Sequence, residues 1–167
     1  MTASHKVTIR PIGPADHEAV AALVAAAFGR LDEAELVRRL RADGDAILEL
    51  VALEDRVIGH VLFSTLAVEP PTIRIAALAP ISVLPDHQKA GFGSALVREG
   101  LARCKALGFD AVAVLGDPTY YRRFGFTRRA ARALNCAYSG RAYQALELRD
   151  GALAGGPWSV GYPRPFD

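Results

Sequence analysis

The chain has 167 residues, enough to bury one sizeable core and too few for two, so a single domain is expected over 1–167, with its core near 6–148 and an irregular tail at 151–167. Hydrophobic residues make up 51% of it, which excludes a disordered or fibrous chain. Twenty basic residues against 18 acidic ones leave a net charge of +2, a field too weak to point to nucleic acid or a membrane surface as a principal partner.

The opening MTASHKVTIRPIG has no apolar signal core, and no later run approaches the roughly 18 apolar residues of a membrane span, so a cytoplasmic protein is expected. Residues 6–12 alternate and are β-branched, which predicts a strand. Asp16 then stands where an N-cap would open the Ala-rich helix that runs to Phe28. Leu36, Val37 and Leu40, spaced among charges, predict a second helix over 33–41 that ends near Gly44. Residues 46–53 and 57–68, joined at Glu54-Asp55, form an apolar hairpin closed by Pro70-Pro71. The run 72–84 is strand-like but contains Pro80, which has no N–H for a ladder and marks an edge, a bulge or a break. A helix over 91–107 follows, with Leu96, Val97, Leu101, Cys104 and Leu107 on one face and Gly108 to stop it. Residues 111–115 are an uninterrupted apolar strand, 118–123 a short helix, and 134–138 and 143–149 two further strands. Mixed α/β architecture results, one sheet with helices on its faces. Cys104 and Cys136 lie far apart with no Cys/His grouping, so neither a metal site nor a disulfide framework is indicated.

The segment ISVLPDHQKAGFGSALV, residues 81–97, carries the most chemistry. An apolar strand end leads through a loop with two glycines directly into a helix. The first-turn N–H groups of a helix have no internal partners, its dipole puts partial positive charge there, and glycines let an anion approach the backbone. A pyrophosphate suits such a turn. The P-loop pattern is absent, and the dinucleotide fingerprint needs a third glycine where this chain has Leu96. The spacing that fits is Q-x-x-G-x-G, realised as Gln88-Lys89-Ala90-Gly91-Phe92-Gly93, and further on comes Tyr121-Arg122-Arg123-Phe124-Gly125-Phe126. Together these resemble the acetyl-CoA signature and the Y-x-x-x-G-F segment of the GNAT superfamily of N-acetyltransferases. The resemblance extends in element order from about residue 6 to 148. In motif detail it is closest to a bacterial subgroup with L-x-P-x-x-V-x-P-x-x-Q and G-D/H-P-x-Y-Y-x-R-F-G-F stretches, here 78–88 and 116–126.

The resemblance implies a mostly antiparallel sheet of about seven strands, splayed between the fourth and fifth, with about four flanking helices. It implies acetyl-CoA as cosubstrate and no metal. The pantetheine arm would pair with the backbone of Ile81, Ser82 and Val83 in the splay, a place where Pro80 is at home. The pyrophosphate would lie on the turn formed by Gln88, Lys89, Ala90, Gly91, Phe92, Gly93 and Ser94. Asp117 stands in for an Asn that many relatives place before the tyrosine, and is assigned a cofactor contact. Tyr121 would donate the proton to the departing thiolate. Many relatives carry a Glu base on the fourth strand, but 72–84 holds no carboxylate; His60 and Glu69 are the nearest substitutes, each expected to be an ordinary core or surface residue, and no base is assigned. Asp86 and His87 are expected to be solvated turn residues, while Lys89, Arg122 and Arg123 are available to coenzyme A phosphates.

The implied activity is acetyl transfer to an amine of a small molecule or peptide by direct attack in a ternary complex. A homodimer is compatible with this, and neither nucleic acid nor membrane is a partner. Two other readings stay open at this point. One is a non-catalytic acyl-CoA-binding or sensing module, which the missing carboxylate favours. The other is a nucleotide-binding protein, which the missing third glycine disfavours.

Overall fold

The computed structural model of the chain describes residues 7–167. Lys6, at the start of the expected first strand, lies outside them; the strand itself, β1, is Thr8–Pro11. Helices α1 (His17–Phe28) and α2 (Asp32–Ala42) follow, then strands β2 (Ala46–Leu53) and β3 (Val57–Thr65). The expected hairpin therefore ends three residues early. Leu66 is buried and breaks the strand, and Ala67–Glu69 forms β4 in a different sheet. Strand β5 (Ile75–Val83) keeps Pro80 inside it, and α3 (Phe92–Ala106) stops at Gly108, whose φ of +89° is the left-handed conformation a glycine adopts freely. Then come β6 (Ala111–Leu115), α4 (Pro118–Tyr121), α5 (Arg128–Ala131), β7 (Leu134–Asn135), β8 (Tyr143–Glu147) and β9 (Trp158–Gly161).

These strands make a mixed α/β fold with six in the main sheet, ordered β1-β2-β3-β5-β6-β8, and three in a second sheet ordered β4-β9-β7. All neighbours in the main sheet are antiparallel except β5 and β6. The strand expected over 134–138 shrinks to two residues because the Ser139 hydroxyl accepts from the Cys136 N–H (3.1 Å) and turns the chain. The unassigned tail supplies β9, the central strand of the second sheet. Asp16 does precede α1, but its carboxylate does not cap that helix; it bonds the Gly13 N–H (2.7 Å) and Arg10 (2.7 and 3.0 Å) instead.

Alternation along β3 sends its side chains to two different environments. Gly59, Val61 and Phe63 face α3. A Cβ on Gly59 would lie 2.9 Å from Leu96 Cδ1, and one on Gly100 would lie 2.3 Å from Phe63 Cε2, so the helix rests directly on this face. Leu50, Ala52, Ala76, Leu78, Val112, Val114 and Phe126 complete an apolar layer there. His60, Leu62 and Ser64 point the other way; Leu62 packs under Val37 and Leu40 of α2.

Candidate active site

Strands β5 and β6 pair over only three residues, Ile75–Ala77 with Ala111–Ala113, and then part. On the other side of β5, the register against β3 advances from Val61 to Phe63 while β5 runs from Ile81 back to Leu78. One extra residue is thus accommodated beside Pro80. A bulge on one edge and a departed neighbour on the other leave the end of β5 half-paired. Leu84 donates its N–H to Ile58 O across β3 (2.9 Å), so by alternation Ser82 faces β3 as well, and the polar backbone groups of Ile81 and Val83 face the gap. Of the three residues expected to meet a pantetheine arm, these two have the open edge. The Val83 carbonyl is already taken by Gln88 Nε2 (3.0 Å), which ties the loop back to the strand.

Beyond Gln88 the chain needs two left-handed residues to enter α3, Lys89 (φ +65°) and Gly91 (φ +90°). Among the described residues, no backbone or side-chain acceptor meets the N–H groups of Lys89, Ala90, Gly91, Phe92, Gly93 or Ser94. Four of these residues, Lys89, Gly91, Gly93 and Ser94, together with Val83, His87, Gln88, Tyr120 and Arg123, line a cavity of about 250 Å³ at the helix N-terminus; Ala90 and Phe92 do not. Gly93 is the residue that keeps this cradle open. A Cβ there would sit 3.2 Å from the Tyr120 hydroxyl and 3.7 Å from Val83 Cγ2, whereas one on Gly91 would meet nothing within 4 Å. Arg123 stacks over the Tyr120 ring (4.5 Å to its centroid) and bonds the Tyr120 carbonyl, which brings a cation to the cavity wall. Lys89 lines the cavity too, and Arg122 does not. His87 is not a solvated turn residue: it is half-buried, its ring lies 6.1 Å from that of Phe92, and it helps wall the cavity. Asp86 is exposed, as expected.

The two tyrosines divide the far wall between them. Tyr120 lines the cavity. Tyr121 is 8% exposed and lodges edge-on against Tyr120 (4.9 Å between centroids) and Phe126 (5.8 Å), on the α3 side of the sheet. Its ring lies so close to Gly116 that a Cβ there would be 2.6 Å from Tyr121 Cε2, which explains the glycine after β6. Burial, with a smaller contribution from Tyr120, pushes the Tyr121 hydroxyl up to about 12. Asp117 is placed as the N-cap of α4, its Oδ1 accepting from the Thr119 N–H (2.9 Å), and is not in the cavity wall. Glu69 ends β4 in the second sheet and is exposed. The one thiol on α3, Cys104, is fully buried and burial raises it to about 12, so it is inert as a nucleophile.

Two buried side chains on the opposite face carry charge or titrate. His60 is fully buried and its Nε2 lies 2.9 Å from Glu49 Oε1, while Arg41 of α2 grips both Glu49 oxygens at 2.8 and 3.0 Å. Burial alone would raise the Glu49 carboxyl; the hydrogen bonds from His60 and Arg41 overcome that and hold it down at about 2. No motif in the sequence marks this group. The signal available was a Glu and a His, eleven residues apart, at inward positions of a strongly apolar hairpin.

The family model for an acetyltransferase (GNAT) domain matches residues 8–129. The uncharacterized N-acetyltransferase YhbS of Escherichia coli K12 is 38% identical over 158 residues, 92% of this chain and 95% of its own. Its crystal structure in complex with CoA superposes with a TM-score of 0.92 over 99% of this chain and 94% of that one. A GNAT family acetyltransferase from Brucella melitensis, in complex with acetyl-CoA, is 34% identical with a TM-score of 0.80 over 98% of this chain and 99% of that one. With a family model matching residues 8–129 and a relative 38% identical over nearly the whole of both chains, the chain belongs to the GNAT acetyltransferases.

Proposed function

We propose that the protein transfers the acetyl group of acetyl-CoA to an amine by direct attack in a ternary complex. The observation that carries this is the junction of two features: the cradle of free amides from Lys89 to Ser94 opens beside the unpaired edge of Ile81 and Val83. The first suits a pyrophosphate and the second an extended amide-bearing arm. The crystallised relatives with CoA and acetyl-CoA support the same cosubstrate here.

With the arm in the gap, the thioester lies near the bulge, where a backbone N–H of Ile81 or Val83 can donate to the developing oxyanion. Tyr121 stays protonated throughout the working range because its hydroxyl is raised to about 12, so it acts only as a donor. It gives its proton to the sulfur as the C–S bond breaks and is resupplied by the acidic ammonium N–H formed when the amine adds. The inert Cys104 leaves no acyl-enzyme route through α3.

Gly93→Val tests the cradle. Its side chain would enter the space between Tyr120 and Val83, and calorimetric titration with acetyl-CoA should show affinity reduced at least tenfold in a folded variant. Undiminished affinity would remove the pyrophosphate from this turn. Release of free thiol from acetyl-CoA in the presence of an amine panel distinguishes transferase from sensor: a wild type that binds acetyl-CoA and never exceeds its amine-free rate is a sensor.

A further inference from the structure

Glu49, held ionised by Arg41, has no proton to donate, so the 2.9 Å contact requires His60 Nε2 to carry the hydrogen. In the neutral ring Nδ1 is then a bare acceptor. That atom is buried and has no partner among the described residues. Three more buried atoms share the condition: His87 Nδ1 at the cavity wall and, on the face of His60, the hydroxyls of Ser82 and Ser64. His60, Ser82 and Ser64 project from the same face of the sheet, and His60 pairs directly with Ser82 across β3 and β5, which sets their Cβ atoms about 5 Å apart. Leaving one buried polar atom unpartnered costs about 1–3 kcal/mol, so the facing pair of His60 and Ser82 calls for an explanation; Ser64 lies four residues further along β3, opposite Ala77. The place of the pair is informative: Ser82 lies between Ile81 and Val83, at the gap itself, on the face away from α3. The cradle and Tyr121 occupy the α3 side, so the amine has the opposite face to approach from.

We propose that His60 is the proton acceptor for the incoming amine, reached through the Ser82 hydroxyl, with Glu49 as the positioning residue that fixes its tautomer and Arg41 as the one that holds Glu49 in place. This rests on the reading of the chain as a working acetyltransferase. His60 and Ser82 are paired across the strands without a hydrogen bond between Nδ1 and the hydroxyl, so the relay requires the Ser82 side chain to turn toward the ring. The ammonium then gives one proton to the Ser82 oxygen as the Ser82 hydroxyl passes its own to His60 Nδ1; the freed nitrogen pair forms the C–N bond and the C–S bond breaks. The second proton leaves the nitrogen for Tyr121 as Tyr121 protonates the sulfur, and His60 returns its proton to solvent after product release. The device replaces the carboxylate that β5 lacks. Among the described residues the other ionisable groups on this face are engaged elsewhere or absent: β5 has none, β2 has only Glu49, Arg10 of β1 pairs with Asp16 (2.7 and 3.0 Å), and those of α1, His17 and Glu18, line the cleft that α1 shares with α2, together with Glu35, Arg38 and Arg41. On the far face α3 carries Arg98, Glu99, Arg103 and Lys105, separated from His60 by the sheet.

The probes are benzylamine, which is charged at neutral pH, and aniline, which is not and needs no base before it attacks. His60→Gln should lower kcat/KM for benzylamine by about 10² to 10⁴, leave aniline within a few-fold, and leave acetyl-CoA affinity unchanged. The wild-type pH profile with benzylamine should level off below the amine's own ionisation, while the variant's should climb with unit slope throughout. Equal loss for both amines, or none for either, overturns the assignment. A measurement without turnover stands beside these: ¹⁵N shifts of the wild-type His60 ring should show Nε2 protonated and Nδ1 bare, and a proton on Nδ1 overturns it. Failure of the wild type to bind acetyl-CoA would be failure of the function itself; full benzylamine turnover in His60→Gln would be failure of this inference alone.

Discussion

The two faces of the main sheet are built on opposite principles. Against α3 the layer is dry and apolar, with Phe63 wedged under Gly100 and polar groups confined to its rim. Against α1 and α2 the same strands bury Glu49, His60, Ser64 and Ser82 among apolar neighbours. A dry layer holds a helix rigidly, which is what a fixed cradle at its N-terminus needs. A polar layer costs stability unless its groups are matched, and here three atoms are not. On the proposed reading, the difference divides the labour: one face anchors the cosubstrate and the other deals in protons.

Removing a hydroxyl tests the border between the faces and should give the largest effect. Tyr121→Phe keeps the ring against Phe126 and Gly116, so stability and acetyl-CoA affinity should hold while turnover falls about 10² to 10⁴. Tyr120→Phe is the control, and stopped assays of thiol release should show it losing a few-fold at most. The reverse ranking would mean that the half-buried tyrosine at the cavity wall does the chemistry. Gly100→Ala probes the dry face. The helix gains about 1 kcal/mol in propensity, but the new methyl meets Phe63 at 2.3 Å and overpacking costs about 1–3 kcal/mol. Urea denaturation should therefore show a net loss of stability that does not vary with pH. The polar face should show the contrary. Its Glu49 carboxyl, near 4.5 in an unfolded chain and about 2 when folded, contributes stability that is complete above pH 4.5 and is lost as pH falls toward 2. Glu49→Gln should flatten that part of the acid unfolding curve. An unchanged curve would mean the Arg41 and His60 contacts do not hold in solution.

The dry face and its cradle were legible because their residues are bound by local rules. Gly91 must take a positive φ, Gly93 must leave room, and Gln88 must reach back five residues to Val83, so spacing alone exposed them. Ala111–Leu115 was read to the residue because a buried parallel strand admits no polar interruption. The polar face obeyed no such rule. Glu49 and His60 meet through strand register, which is fixed by the whole sheet rather than by neighbours in sequence. His87 and Tyr120 were missed as lining residues for a related reason, since the loop and α4 approach each other only in the folded chain. The tail escaped because its Gly and Pro content hides β9, whose side chains Trp158 and Val160 are buried by two short strands from distant parts of the chain.

That second sheet has a consequence for how the molecule is made. β4 leaves the ribosome early and finds its partner only in β9, about ninety residues later, where the Trp158 indole N–H also bonds the Thr72 hydroxyl at 2.8 Å. Until β9 emerges, β4 presents bare ladder groups and the apolar floor of Ile75, Ala77 and Ala113 lies uncovered, although β1 to β3, β5 and the cradle at the head of α3 are already synthesised. A nascent chain of this protein passes through a stage with a finished cosubstrate half and an open flank, and that flank is where chaperone contact or aggregation during synthesis would concentrate.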